Sequence, residues 1–125
     1  MVVNAHFLTT DGPIDIPERV LVVVAHPDDI DFGIAGTIAQ LTKAGSYVAY
    51  CLVTSGEAGE DDMTVTSEEL SAMREAEQTA AAAEVGVTSL HWLRHLDGMV
   101  EANLKLRCDI SVSYTHLTLP TTPYV

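Results

Sequence analysis

From Val20 to Ala25 every position is apolar, and four of the residues are valine. A short unbroken run this rich in β-branched side chains predicts a strand covered on both faces. Between Gly33 and Lys43 the pattern changes. Ile34, Ile38 and Leu41 recur at helical spacing, and Ala44-Gly45 supplies the stop. Tyr47 to Thr54 predicts a second strand, and Ser55 to Val65 a Gly-containing acidic loop. TSEEL at 66–70 has the form of a capping box, with Thr66 as the cap and Glu69 three residues on. It opens an alanine-rich helix reaching about Glu84 and stopping at Gly86. Ser89 to Leu96 predicts a third strand, Asp97-Gly98 a turn, and Val100 to Ile110 a third helix. Strands and helices in strict alternation predict an α/β fold with parallel strands and right-handed crossovers, strand 20–25 lying at its centre. Residues 1–19 carry turn signals, Asp11-Gly12-Pro13 and Pro17, and read as a lead-in segment.

The first strand runs directly into His26-Pro27-Asp28-Asp29. Open parallel sheets bind ligands beyond the carboxyl ends of their strands, which is where these residues fall. Pro27 confines His26 to extended geometry, so the imidazole continues the strand direction while the turn brings the carboxylates round beside it. One imidazole and one carboxylate can share a zinc ion, and an adjacent unligated carboxylate can serve as a base. The same four residues also read as an Asp-rich turn closing a strand, and the short motif does not separate the two readings.

Charge narrows the partners. Eighteen acidic residues against six basic ones give a formal net charge of -12 over 125 residues. Nucleic acids and anionic membranes both call for a positive face, so neither is expected as a partner. Glu57, Glu60, Asp61, Asp62, Glu68 and Glu69 fall close together and read as a solvated loop. The two cysteines, Cys51 and Cys108, have no metal or redox spacing, and Cys51 lies in an apolar run. No apolar run approaches the roughly 20 residues that span a bilayer, and residues 1–19 lack a basic, then apolar, leader pattern. These features predict a cytoplasmic protein.

Several stretches together resemble the LmbE-like (PIG-L) family of zinc-dependent de-N-acetylases. They are VVVAHPDDIDFGIAGTIAQL (22–41), LVTSGEAGE (52–60), REAE (74–77) and GVTSLHWLRHLDG (86–98). The resemblance runs in order from residue 20 to about 111 and implies a Rossmann-like three-layer α/β fold. It implies hydrolytic removal of an acetyl group from an N-acetylglucosamine-type conjugate, with Zn2+ as cofactor. Within it His26 and Asp29 match the metal ligands and Asp28 the general base, while Glu57, Arg74 and Asp97 match positions near the substrate sugar. Where many members carry Glu after the two aspartates, this chain has Ile30 followed by Asp31.

The lesser positions keep simpler readings beside these. Arg74 can pair with Gln78 or Glu77 on a helix surface, Asp97 can be a turn residue before Gly98, and Glu57 another loop acid. His91 and His95, four apart, suit a zinc pair only on a helix; in a strand they lie about 13 Å apart and read as non-ligands. Gly33 and Gly36 follow a strand as in a dinucleotide loop, but G-x-G-x-x-G is absent. A non-catalytic Rossmann-like nucleotide- or ligand-binding domain is therefore the alternative.

The family takes a third zinc ligand, and a further assisting histidine, from a later H-P-D-H-like segment that this sequence does not contain. His116 sits instead in VSYTHLTLP. VSYTHLTLPT (112–121) is spelled by GTC-TCT-TAT-ACA-CAT-CTG-ACG-CTG-CCG-ACG, which resembles the transposon end and adapter of tagmentation sequencing libraries. The expectation is a deacetylase segment over 20–111, truncated on its C-terminal side, with a non-native tail over 112–125. Two identified zinc ligands are fewer than the three usual in catalytic sites, so this chain alone is expected to be inactive.

Overall fold

A computed structural model describes residues 15–59 and 64–118; the lead-in before residue 15, residues 60–63 (Glu60, Asp61, Asp62 and Met63) and the tail beyond 118 lie outside the described residues. The elements are β1 (Arg19–Val24), α1 (Asp29–Gly33), α2 (Ala35–Lys43), β2 (Tyr47–Leu52), α3 (Ser67–Glu84), β3 (Ser89–Trp92) and α4 (Leu104–Thr118). The three strands form one parallel sheet in the order β1-β2-β3.

Register explains the layers. Val20, Val22 and Val24 pair with Val48, Tyr50 and Leu52, and the last two pair with Leu90 and Trp92. Side chains alternate across a strand, so these residues share one face. With Ile30 of α1, Ile38 and Leu41 of α2, and Ala82 of α3 they make the main core. The opposite face carries Cys51 and His91, and there His91 Nδ1 meets Ser113 Oγ of α4 at 2.5 Å. The result is three layers, helices α1 to α3 on one side of the sheet and α4 on the other. Cys51 is fully buried, and that burial pushes its thiol upward, as befits a packing residue. No helix among the described residues is long and apolar enough to cross a membrane.

Four expectations are corrected. The central strand is β2, whose residues 48–52 are all buried, whereas β1 lies at the sheet edge and is only partly covered. The first helix starts earlier, at Asp29, and breaks at Ile34 (φ -135°, ψ 8°) before α2 begins. The break sits between Gly33 and Gly36, the poorest helix formers in the segment. The third strand ends at Trp92 rather than Leu96, because Arg94 takes the left-handed conformation with φ 54°. The last helix starts at Leu104, capped by Asn103 Oδ1, which accepts from Leu106 N at 3.0 Å, and runs on past Ser111 to Thr118.

The capping box forms as its spacing predicts: Thr66 Oγ1 accepts from Glu69 N at 3.1 Å, and Glu69 Oε2 accepts from Thr66 N at 3.0 Å. At the other end of α3, Gly86 (φ +84°) packs so tightly that an added Cβ would stand 2.9 Å from Thr42 Oγ1. Thr42 Oγ1 in turn donates to Val85 O at 2.6 Å, welding the end of α2 to the end of α3.

Tyr50 gives a first testable consequence. Its ring fills the core, but its hydroxyl is buried with no hydrogen-bond partner among the described residues. Burial, reinforced by the Asp31 charge, raises its pKa from 10.0 to about 12. A buried hydroxyl without a partner costs about 1–3 kcal/mol, so Tyr50→Phe is expected to stabilise the fold by about 1 kcal/mol in urea unfolding at neutral pH. Because the folded pKa lies above the unfolded one, the unfolded chain ionises first as pH rises. Stability is therefore lost between about pH 10 and 12 in the wild type, and Tyr50→Phe lacks this component.

Candidate active site

Parallel pairing continues beyond the strands proper. Val53 N donates to Val24 O and Thr54 N to Ala25 O, both at 3.0 Å, and Thr54 Oγ1 also donates to Ala25 O at 2.8 Å. These bonds stitch the start of the 54–59 loop to the residues before His26. Gly56 (φ +71°) lets the loop fold onto Pro27, whose Cδ lies 3.3 Å from where a Cβ would stand. His26, Asp28, Asp29, Gly56, Arg74 and Asp97 line a recess of about 410 Å³ at this carboxyl edge of the sheet.

Asp28 has φ 67° and ψ -14°, in the left-handed region. Its N–H donates to Gln78 Oε1 of α3 at 2.5 Å, and Gln78 is buried at 2% exposure. A turn aspartate at a helix start ordinarily caps that helix with its side chain. Asp28 makes no such cap, and its Oδ2 lies 3.6 Å from Arg74 Nη1. The Asp-rich-turn reading thus leaves its carboxylate without a capping role, facing Arg74 instead.

Asp29 opens α1 and turns back, its Oδ2 accepting from His26 N at 3.0 Å. The same oxygen stands 3.6 Å from His26 Nδ1. A tetrahedral zinc ion with bonds of about 2.0–2.2 Å places its donors about 3.4 Å apart, so this nitrogen and oxygen fit a shared metal. Among the described residues no group of three His, Cys, Asp or Glu side chains converges on one point. The other imidazole nitrogen, Nε2, meets Asp97 Oδ1 at 2.8 Å. Asp97 Oδ2 accepts from Ala58 N at 3.1 Å, and Asp97 N donates to Glu57 Oε1 at 2.8 Å.

Five of the six residues singled out from the sequence line this recess, and the sixth, Glu57, accepts from the backbone of Asp97 beside it. Arg74 turns toward Asp28 and not toward a helix neighbour, while Glu57 and Asp97 bond to each other. His91 and His95 lie elsewhere, against Ser113 and Asp109 of α4. Gly33 and Gly36 lie inside α1 and α2 and form no phosphate loop.

Two residues were missed. Gln78 fixes the Asp28 backbone, and its spacing of four from Arg74 on one helix was the available signal. Glu75 joins the two loops behind the site: it accepts from Ser55 Oγ at 2.7 Å and from Arg94 Nε and Nη2, both at 3.1 Å. Beside it a second hollow, of about 530 Å³, is lined by Ser55, Glu57, Ser71, Glu75 and Arg94 among others.

Comparison with known proteins follows this geometry. The sequence model of the PIG-L family, described as GlcNAc-PI de-N-acetylase, matches residues 21–118. A diacetylchitobiose deacetylase of Thermococcus kodakarensis is 35% identical over 98 residues, covering 78% of this chain and 37% of the relative. A 1D-myo-inositol 2-acetamido-2-deoxy-alpha-D-glucopyranoside deacetylase of Nakamurella multipartita is 39% identical over 80 residues, covering 58% of this chain and 27% of that protein. The chain thus spans about a third of the length of these relatives. Among solved structures, N,N'-diacetylchitobiose deacetylase from Pyrococcus horikoshii, complexed with an inhibitor, superposes with a TM-score of 0.73 at 33% identity, covering 75% of this chain and 35% of that one.

Proposed function

Since this chain belongs to the PIG-L family, we propose that the whole protein is a zinc-dependent amide hydrolase that removes the acetyl group from an N-acetylglucosamine-type conjugate. Members of the family are in general metal-dependent. The relatives described above are named as deacetylases of diacetylchitobiose and of a 1D-myo-inositol 2-acetamido-2-deoxy-alpha-D-glucopyranoside, which supports the sugar class and leaves the conjugate open. The observation that carries the reading is the uncapped Asp28 carboxylate beside the His26–Asp29 donor pair.

His26 and Asp29 would hold the metal. When bound, zinc polarises a carbonyl oxygen and lowers the pKa of water from about 15.7 to about 7. The protein's part is proton handling and placement. Asp28 takes the proton of the attacking water, with Arg74 Nη1 standing 3.6 Å from its Oδ2. As the C–N bond breaks, Asp28 returns that proton to the departing amine nitrogen, giving acetate and a free amino sugar. The resemblance puts Glu57, Arg74 and Asp97 near the sugar; of these Arg74 and Asp97 line the recess, and Glu57 accepts from Asp97 N. We assign the deacetylase segment to residues 20–111. Free Cys51 and Cys108 fit the cytoplasm as its compartment.

The test is acetate release from an N-acetylglucosamine conjugate by the whole protein. Activity is expected to vanish on chelation and return with zinc. Chelator-resistant release, or adenine-nucleotide affinity in its place, would overturn the reading.

A further inference from the structure

We infer that Asp97 is a positioning residue for His26, fixing which ring nitrogen faces the metal; this rests on the metal-dependent reading above. The argument is one of donors and acceptors. An ionised carboxylate can only accept, and a neutral imidazole carries a single N–H. Asp97 Oδ1 lies 2.8 Å from His26 Nε2, so the proton sits on Nε2 and the lone pair on Nδ1. Nδ1 is the nitrogen that faces Asp29 Oδ2 at 3.6 Å. The tautomer that satisfies Asp97 is therefore the one that presents a metal donor on the correct side. Metal-bound histidines are regularly oriented in this way by a carboxylate on the second nitrogen.

Asp97 is built for this task more than for touching substrate. Its side chain is 9% exposed, against 50% for His26. Its second oxygen is tied to Ala58 N, and its own N–H to Glu57 Oε1, so two loops fix the carboxylate plane. Arg94, left-handed and held by Glu75, makes the reversal after β3 that delivers Asp97 to the ring. This moves Asp97 from the sugar-facing role that the resemblance implies to one behind the imidazole, with Glu57 as its support.

Long-range nitrogen–proton NMR of the metal-free chain, recorded at alkaline pH once the ring shifts no longer change, reads the tautomer directly. The wild type is expected to show the proton of His26 on Nε2. A proton on Nδ1 would overturn the inference, and this measurement needs no variant to fold. In Asp97→Asn the preference for Nε2–H is expected to be lost. Zinc affinity, measured by competition with a chromophoric chelator, is expected to fall by about 10–100-fold. A folded Asp97→Asn with the wild-type tautomer, or with zinc affinity within about twofold of wild type, would overturn the assignment and leave the deacetylase reading standing. Zinc affinities are compared in the whole protein, and failure of that wild type to bind zinc would bring down the metal-dependent reading and this inference with it.

Discussion

Asp28→Asn is expected to lower acetate release by the whole protein about 10²–10⁴-fold, the range for losing a general base, while zinc stays bound. The substitution keeps the size of the side chain and removes its capacity to take a proton. It also leaves the backbone bond to Gln78 available, because that bond uses the Asp28 N–H and not the carboxylate. Asparagine tolerates the left-handed backbone at this position as readily as aspartate does, so folding should be unaffected. Asp29→Ala is the matched control. It removes the oxygen that stands 3.6 Å from His26 Nδ1, so metal and activity should be lost together. Single-turnover acetate release with parallel zinc quantification separates the two. Loss of zinc in Asp28→Asn with retention in Asp29→Ala would reverse the assignment of base and ligand.

The second large effect concerns the sheet. Leu52 is fully buried at the carboxyl end of the central strand, in register with Val24 on one side and Trp92 on the other. Leu52→Ala is expected to destabilise the chain by about 2–5 kcal/mol in urea unfolding, the span for a large-to-small change in a packed core. Native domains have only about 5–15 kcal/mol in total, so the variant should be partly unfolded under mild conditions. Leu52→Met, nearly equal in volume, should lose less than about 1.5 kcal/mol. Equal losses for the two would mean that packing at Leu52 is not what holds this end of the sheet. The site would suffer as well, since Leu93 N donates to Leu52 O at 2.9 Å where the chain leaves β3 for Asp97.

The strands, the capped α3 and the delivery of His26, Asp28 and Asp29 to a strand end were legible because each depends on residues close in sequence. Valine runs mark strands, Thr66 and Glu69 find each other across one turn, and Pro27 acts on its immediate neighbours. Strand order is different in kind. Val20 to Val24 is the more β-branched run, yet Tyr47 to Leu52 is the buried one. Composition reports what a strand can tolerate, while centrality is decided by which strands come to flank it. The same limit hid Glu75, whose partners Ser55 and Arg94 lie about twenty positions away in either direction. Asp97 was marked by its resemblance and its turn, but its contact with His26 crosses 71 residues and no local pattern encodes it.

The left-handed backbone at Asp28 sets the two selective pressures on this position against each other. A non-glycine residue held there costs about 1–3 kcal/mol, a cost that glycine escapes. A library screened for heat resistance alone should therefore enrich Asp28→Gly, and every such survivor would be a sturdier protein without its proton acceptor. Thermal robustness and turnover diverge most sharply at this codon, so a stabilised variant of this protein is best sought with Asp28 held constant.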